Sequence, residues 1–117
     1  MKSKKENNIF LEVVGDTPKT RILDFLMTFS HFDYPKTEIA RNSGVSYTNL
    51  ELILPKLVNL ELVRKTRKVG KSEMYQINKE NPTTKILLKF HWAIIKSITS
   101  TEQGLELKEP IKIKVSI

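Results

Sequence analysis

The sequence predicts a mainly α-helical α+β domain with one small β-hairpin, followed by a further helix and a terminal strand. Three observations carry this. Apolar residues recur at steps of three and four over residues 18–30, 46–60 and 82–99, the period of a helix with one buried face. Between residues 62 and 78 the pattern changes to alternation around a glycine, the mark of two strands and a turn. Residues 111–117 alternate strictly, Ile-Lys-Ile-Lys-Val-Ser-Ile, as a strand with one buried face does.

Taken in order, residues 1–8 are polar and basic without periodicity, and a frayed tail is expected. Ile9 to Val14 is a short apolar run that suits a strand or a helical turn equally. At Gly15-Asp16-Thr17-Pro18 a helix start is signalled: Asp16 or Thr17 can accept the free backbone N–H bonds, and proline fits the first turn. This first helix should run to about Ser30, burying Ile22, Leu23, Phe25, Leu26 and Phe29. His31 to Pro35 is a connector with room for one or two extended residues.

A second, short helix is expected from Lys36 to Asn42, stopped by Gly44 in a left-handed conformation. Ser46 caps a third, Tyr47 to about Asn59, with Leu50, Ile53, Leu54, Leu57 and Leu60 at helical spacing. Pro55 cannot donate to residue 51, so a kink or a later helix start is expected. Leu62–Lys68 and Ser72–Ile77 read as strands around Val69-Gly70-Lys71. Asn81-Pro82-Thr83 begins a fourth helix to about Thr99. The parts divide as a tail and short apolar segment (1–14), a central domain (15–80) and a C-terminal extension (81–117).

Composition narrows the chemistry. With 117 residues, 39% apolar and 28% charged, the chain has the makeup of one ordinary soluble domain. No apolar stretch approaches a membrane span, and the opening residues lack a secretory signal, so a cytoplasmic protein is expected. Zero cysteines exclude disulfides, thiolate metal sites and a cysteine nucleophile, and two histidines are too few for a histidine-rich metal site to be expected. No phosphate loop, paired carboxylates or nucleophile with its base is present, so neither catalysis nor a cofactor is expected.

Charge is the informative quantity. Twenty basic residues against 13 acidic give +7. Between Leu62 and Lys96 lie nine basic residues and two acidic ones, 9 − 2 = +7, so the remainder is neutral. A one-sided concentration of this kind suits a polyanion such as nucleic acid, against the plainer reading of a solvated lysine-rich face.

Two helices joined by a tight glycine turn and followed by a basic hairpin is the element order of a winged helix-turn-helix. In that arrangement the second helix enters the major groove while the hairpin offers cations to phosphates. The run Thr37-Glu38-Ile39-Ala40-Arg41-Asn42-Ser43-Gly44-Val45-Ser46 resembles the lead into the recognition helix of archaeal and bacterial winged-helix regulators. Leu57 to Val63 resembles their approach to the wing, and Val69 to Asn78 their wing tip and return strand. The resemblance spans about residues 15–100 and implies a DNA-binding transcriptional regulator. Glu51, Leu52, Pro55 and Glu61 depart from the pattern: relatives carry polar or basic groove residues, an unbroken helix and a glycine there.

Carried over by position, the resemblance implies base-edge contacts from Ser46, Thr48 and Asn49, and phosphate contacts from Tyr47, Lys56, Arg64, Lys65, Arg67, Lys68 and Lys71. The plainer readings are that Ser46 and Asn49 only cap and solvate the helix, and that the wing charges protect an edge strand from aggregation. In the fourth helix, apolar residues cover roughly 240° at 100° per residue, about twice what one core face needs. One flank is therefore expected on the domain and another on a second protomer, through Leu87, Phe90, His91, Ile94, Ile95 and Ile98. The alternative is burial by the chain itself, terminal strand included. The expected function is sequence-specific double-stranded DNA binding by a homodimer. The alternative is a winged-helix interaction or architectural module without base readout, to which an exposed Leu52 would point. The sequence names no effector and no membrane partner.

Overall fold

The computed structural model describes residues 8–103, with side chains as far as Ser97. Its elements are α1 (Ile9–Val14), α2 (Pro18–Thr28), β1 (Tyr34–Pro35), α3 (Lys36–Ser43), α4 (Tyr47–Asn59), β2 (Val63–Val69), β3 (Ser72–Ile77) and α5 (Pro82–Gln103). The strands form one antiparallel sheet in the order β1-β3-β2. The α+β class, the two-helix turn and the hairpin are as the sequence predicts. The terminal strand expected over 111–117 lies outside the described residues.

The ambiguous run 9–14 is a helix. The Asn8 side chain caps it, accepting from Leu11 N at 3.0 Å, and Phe10 and Leu11 are buried where α1 packs between α2 and α5. In α2, Thr17 and Thr20 form a reciprocal capping box, each side chain serving the other's backbone N–H, with Pro18 at the first helical position. The helix stops at Thr28, two residues short of the expected Ser30. Phe29, expected inward, is 43% exposed.

The turn between α3 and α4 is closed by hydrogen bonds Val45 N to Ala40 O (3.1 Å) and Gly44 N to Arg41 O (3.3 Å). This paired pattern requires a left-handed residue, and Gly44 supplies it at φ 73°. Arg21 of α2 locks the turn from outside. It donates to Gly44 O at 3.1 Å while its other nitrogens hold Asp16 at 2.6 and 3.1 Å, and the hydrogen bonds to Asp16 push the guanidinium pKa further up.

Helix α4 runs unbroken across Pro55, so the later start that the proline suggested does not occur. Pro55 and Glu51 are both exposed, which leaves the residue-51 carbonyl that loses its donor within reach of water. The helix ends in a second paired turn, Leu62 N to Leu57 O (3.0 Å) and Glu61 N to Val58 O (2.9 Å). Here the left-handed position at φ 64° is filled by Glu61 in place of glycine. The Glu61 carbonyl accepts from Asn78 Nδ2 (3.0 Å) and Asn81 Nδ2 (2.8 Å), tying the exit of α4 to the start of α5.

The core joins these elements through Ile22, Leu26, Ile39, Leu50, Leu54 and Ile77, each at most 1% exposed. It holds α3 and α4 against α2, with the hairpin projecting beyond. Among the described residues no helix is long and apolar enough to cross a membrane.

Candidate nucleic-acid interface

Helix α4 buries Leu50, Leu54 and Leu57. At about 100° per residue, the opposite face is led by Thr48, Leu52, Pro55 and Asn59, flanked by Asn49 and Lys56. All six are exposed. Tyr47, 44% exposed, lies on the far flank beside Glu51. The Ser46 hydroxyl is engaged as the cap, accepting from Asn49 N at 3.0 Å. Ser46 thus sets the helix start and presents Thr48 and Asn49 to solvent. Glu51 is drawn aside by Lys36 of α3 at 3.4 Å.

Helix α4 packs directly against β2, so the hairpin emerges beside it. The hairpin turn is Gly70-Lys71, with Gly70 at φ 65° and Val69 opposite Ser72. Along β2, Lys65 stands opposite Tyr75 and Lys68 opposite Glu73, so three steps of β2 match two of β3. This bulge changes the side-chain accounting. Simple alternation would place Lys65 and Lys68 on opposite faces; the extra residue returns both to one face.

The bulge also lets the consecutive residues Thr66 and Arg67 reach a single carboxylate. Asp33, in the loop before β1, accepts from Thr66 Oγ1 at 2.5 Å and from Arg67 Nε and Nη2 at 2.9 and 3.0 Å. The Arg67 guanidinium, then Thr66, hold the Asp33 carboxyl at a pKa of about 2. Of the wing cations expected to meet phosphate, Arg67 is therefore already paired. Arg64, Lys65, Lys68 and Lys71 are exposed and form no ion pair among the described residues. Nothing in the sequence pairs Asp33 with the wing, because the interaction spans 34 residues and depends on the bulge.

Helix α5 divides its apolar residues differently from expectation. Leu87 and Ile94 are half-buried against the chain's own core, and Ile95 is half-buried. His91 is 3% exposed. Its Nε2 lies 2.8 Å from Asp24 Oδ1 and its ring 4.8 Å from that of Phe10, while Asp24 Oδ2 accepts from Asn8 Nδ2 at 2.7 Å. His91 is thus used inside its own chain, joining α5 to α1 and α2. The Ile98 side chain lies outside the described ones. Phe90 is 42% exposed, and Ile86 and Trp92, apolar residues outside the expected interface set, are 67% and 60% exposed. Periodicity marks them as apolar but cannot say which apolar flank the fold uses. Lys85, Lys89 and Lys96 form an exposed basic stripe between them.

Among the described residues no group of histidine, aspartate and glutamate has the makings of a metal site. No protein-family model and no curated protein matches the chain. Solved structures do. A point mutant of ZitR from Lactococcus lactis aligns at TM-score 0.55 and 17% identity, over 80% of this chain and 67% of that one. MepR, a transcription regulator of the Staphylococcus aureus multidrug efflux pump MepA, aligns at TM-score 0.58 and 16% identity, over 95% of this chain and 82% of that one. At these identities the likeness is one of fold, and it agrees with the winged-helix element order read from the sequence.

Proposed function

We propose that this protein binds double-stranded DNA sequence-specifically as a homodimeric transcriptional regulator. The observation that carries the reading is the packing of α4 against β2. The helix whose outward face carries Thr48, Asn49 and Lys56 thus adjoins the strand that carries Arg64, Lys65 and Lys68, with Lys71 in the turn, four exposed cations that have no ion-pair partner among the described residues. Such a surface suits a helix in the major groove and a wing along the backbone. Thr48 and Asn49 are the base-edge candidates. Tyr47, Lys56, Arg64, Lys65, Lys68 and Lys71 are the phosphate candidates, with Arg67 acting through Asp33 to hold the wing. Residues 15–80 form the reading unit, and residues 81–117 form the dimerisation extension.

A second copy would cover apolar residues that α5 leaves in water, foremost Ile86 and Phe90, which share one flank of the lysine stripe. Two-fold symmetry then calls for half-sites about one helical turn apart. The likeness to MepR, described as a transcription regulator, supports a regulatory role in the cytoplasm without catalysis.

A salt titration of duplex binding tests the proposal. With roughly four phosphates neutralised per protomer, the logarithm of affinity should fall with the logarithm of salt at a slope of about −7 for the dimer. A slope near zero, or no retention of duplex at low salt, overturns it in favour of a protein-interaction module.

A further inference from the structure

We infer that Leu52 is a specificity-determining residue that reads the C5-methyl groups of thymines in the major groove. The inference rests on the DNA-binding proposal and narrows its substrate to sites with thymine opposite the middle of α4. Leu52 stands at the centre of the outward face of α4, one turn beyond Thr48, and is 62% exposed. The next residues, Ile53 and Leu54, turn into the core, so its exposure is not a failure of the helix to pack.

The surroundings indicate what covers it. Thr48 and Asn49 lie one turn before, and Pro55, Lys56 and Asn59 follow. The nearest acid, Glu51, is held away by Lys36. An apolar centre bordered by the exposed Thr48, Asn49, Lys56 and Asn59, on the helix that packs against the cation-bearing strand β2, complements a surface that is apolar at one point and anionic around it. A thymine methyl between two phosphate backbones is such a surface, since it is the apolar feature that base pairs present in the major groove. The exposed ring of Pro55 and the methyl of Thr48 extend the same apolar line. A protein partner would instead call for a broad contiguous apolar patch, whereas the next exposed aliphatic side chain, Leu60, stands two turns on, beyond Lys56.

The test uses the full chain and duplexes selected by it from a random pool, resynthesised with deoxyuridine in place of thymidine so that only the methyl groups are removed. The wild-type protein should bind the uracil duplexes about fourfold more weakly for each methyl contacted, the worth of one buried methyl-sized group, and about tenfold or more if both half-sites contribute. Leu52→Ala, a change on an exposed helix position, should bind thymine and uracil duplexes alike. Equal wild-type affinity for both, or an equal loss in wild type and Leu52→Ala, overturns the role of Leu52 while leaving DNA binding standing. Failure to enrich any duplex overturns both readings. Capture of a protein on Leu52 with no uracil effect assigns the residue to a protein partner and overturns the inference.

Discussion

Asp33 and Arg67 are joined by two parallel hydrogen bonds of 2.9 and 3.0 Å, fastening the hairpin to the loop that precedes the first strand. The carboxyl is held at about 2, below its ordinary 3.8, chiefly by the Arg67 guanidinium. A lowered folded-state value means that the stabilisation is fully present above the ordinary carboxylate range and is lost as pH falls through the folded value. The wing fastening should therefore weaken between about pH 4 and pH 2. In a carbon-detected NMR titration the Asp33 midpoint is expected near 2, rising toward the ordinary value in Arg67→Ala. A midpoint in the ordinary range for the wild-type protein would contradict the pairing.

Because Asp33 occupies Arg67, the wing cations should divide into two functional kinds. Lys65→Ala is expected to weaken all duplexes alike and to flatten the salt slope by about 2 units for a dimer, since each neutralised phosphate contributes about 0.9 to the slope. Arg67→Ala should change the slope much less and instead raise hydrogen exchange in β2 and β3. Anisotropy titrations over a salt series read the first effect, and equal slopes for the two variants would argue against the division.

Glu61 holds a left-handed conformation at φ 64° that the chain needs to leave α4. A side chain there costs about 1 kcal/mol relative to glycine. Glu61→Gly should raise stability by about that amount, with a Tm gain of about 4 °C in thermal unfolding. A drop in stability would show that the Glu61 side chain makes interactions outweighing its backbone cost.

Thr84, fully buried in the first turns of α5, has a hydroxyl without a hydrogen-bond partner among the described residues. A buried hydroxyl left unpaired costs about 1–3 kcal/mol, and valine fills the same volume without it. Thr84→Val should accordingly raise the unfolding free energy by about 1 kcal/mol or more, read as a higher denaturation midpoint at unchanged slope. Destabilisation would point to a partner for the hydroxyl.

Local chemistry in the sequence determined much of the fold. Thr17-Pro18, Gly44, Ser46 and Gly70 each act within a few residues of themselves, through a cap, a first turn or a positive φ, so element order and the hairpin could be read without tertiary information. Periodicity likewise marked the faces of α2 and α4 that face the core, and the charge count marked the wing.

What tertiary structure decided depends on neighbours distant in sequence. The run at residues 9–14 became helical because Asn8 caps it and α2 and α5 receive Phe10 and Leu11. Arg67 left the set of free cations, and Lys65 and Lys68 came to one face, because a single extra residue in β2 brought Thr66 and Arg67 onto Asp33. His91 turned inward, while Ile86 and Trp92 stayed in water, because the core accepts only one flank of α5. Periodicity reports which residues are apolar around a helix; only packing geometry selects the side that is covered.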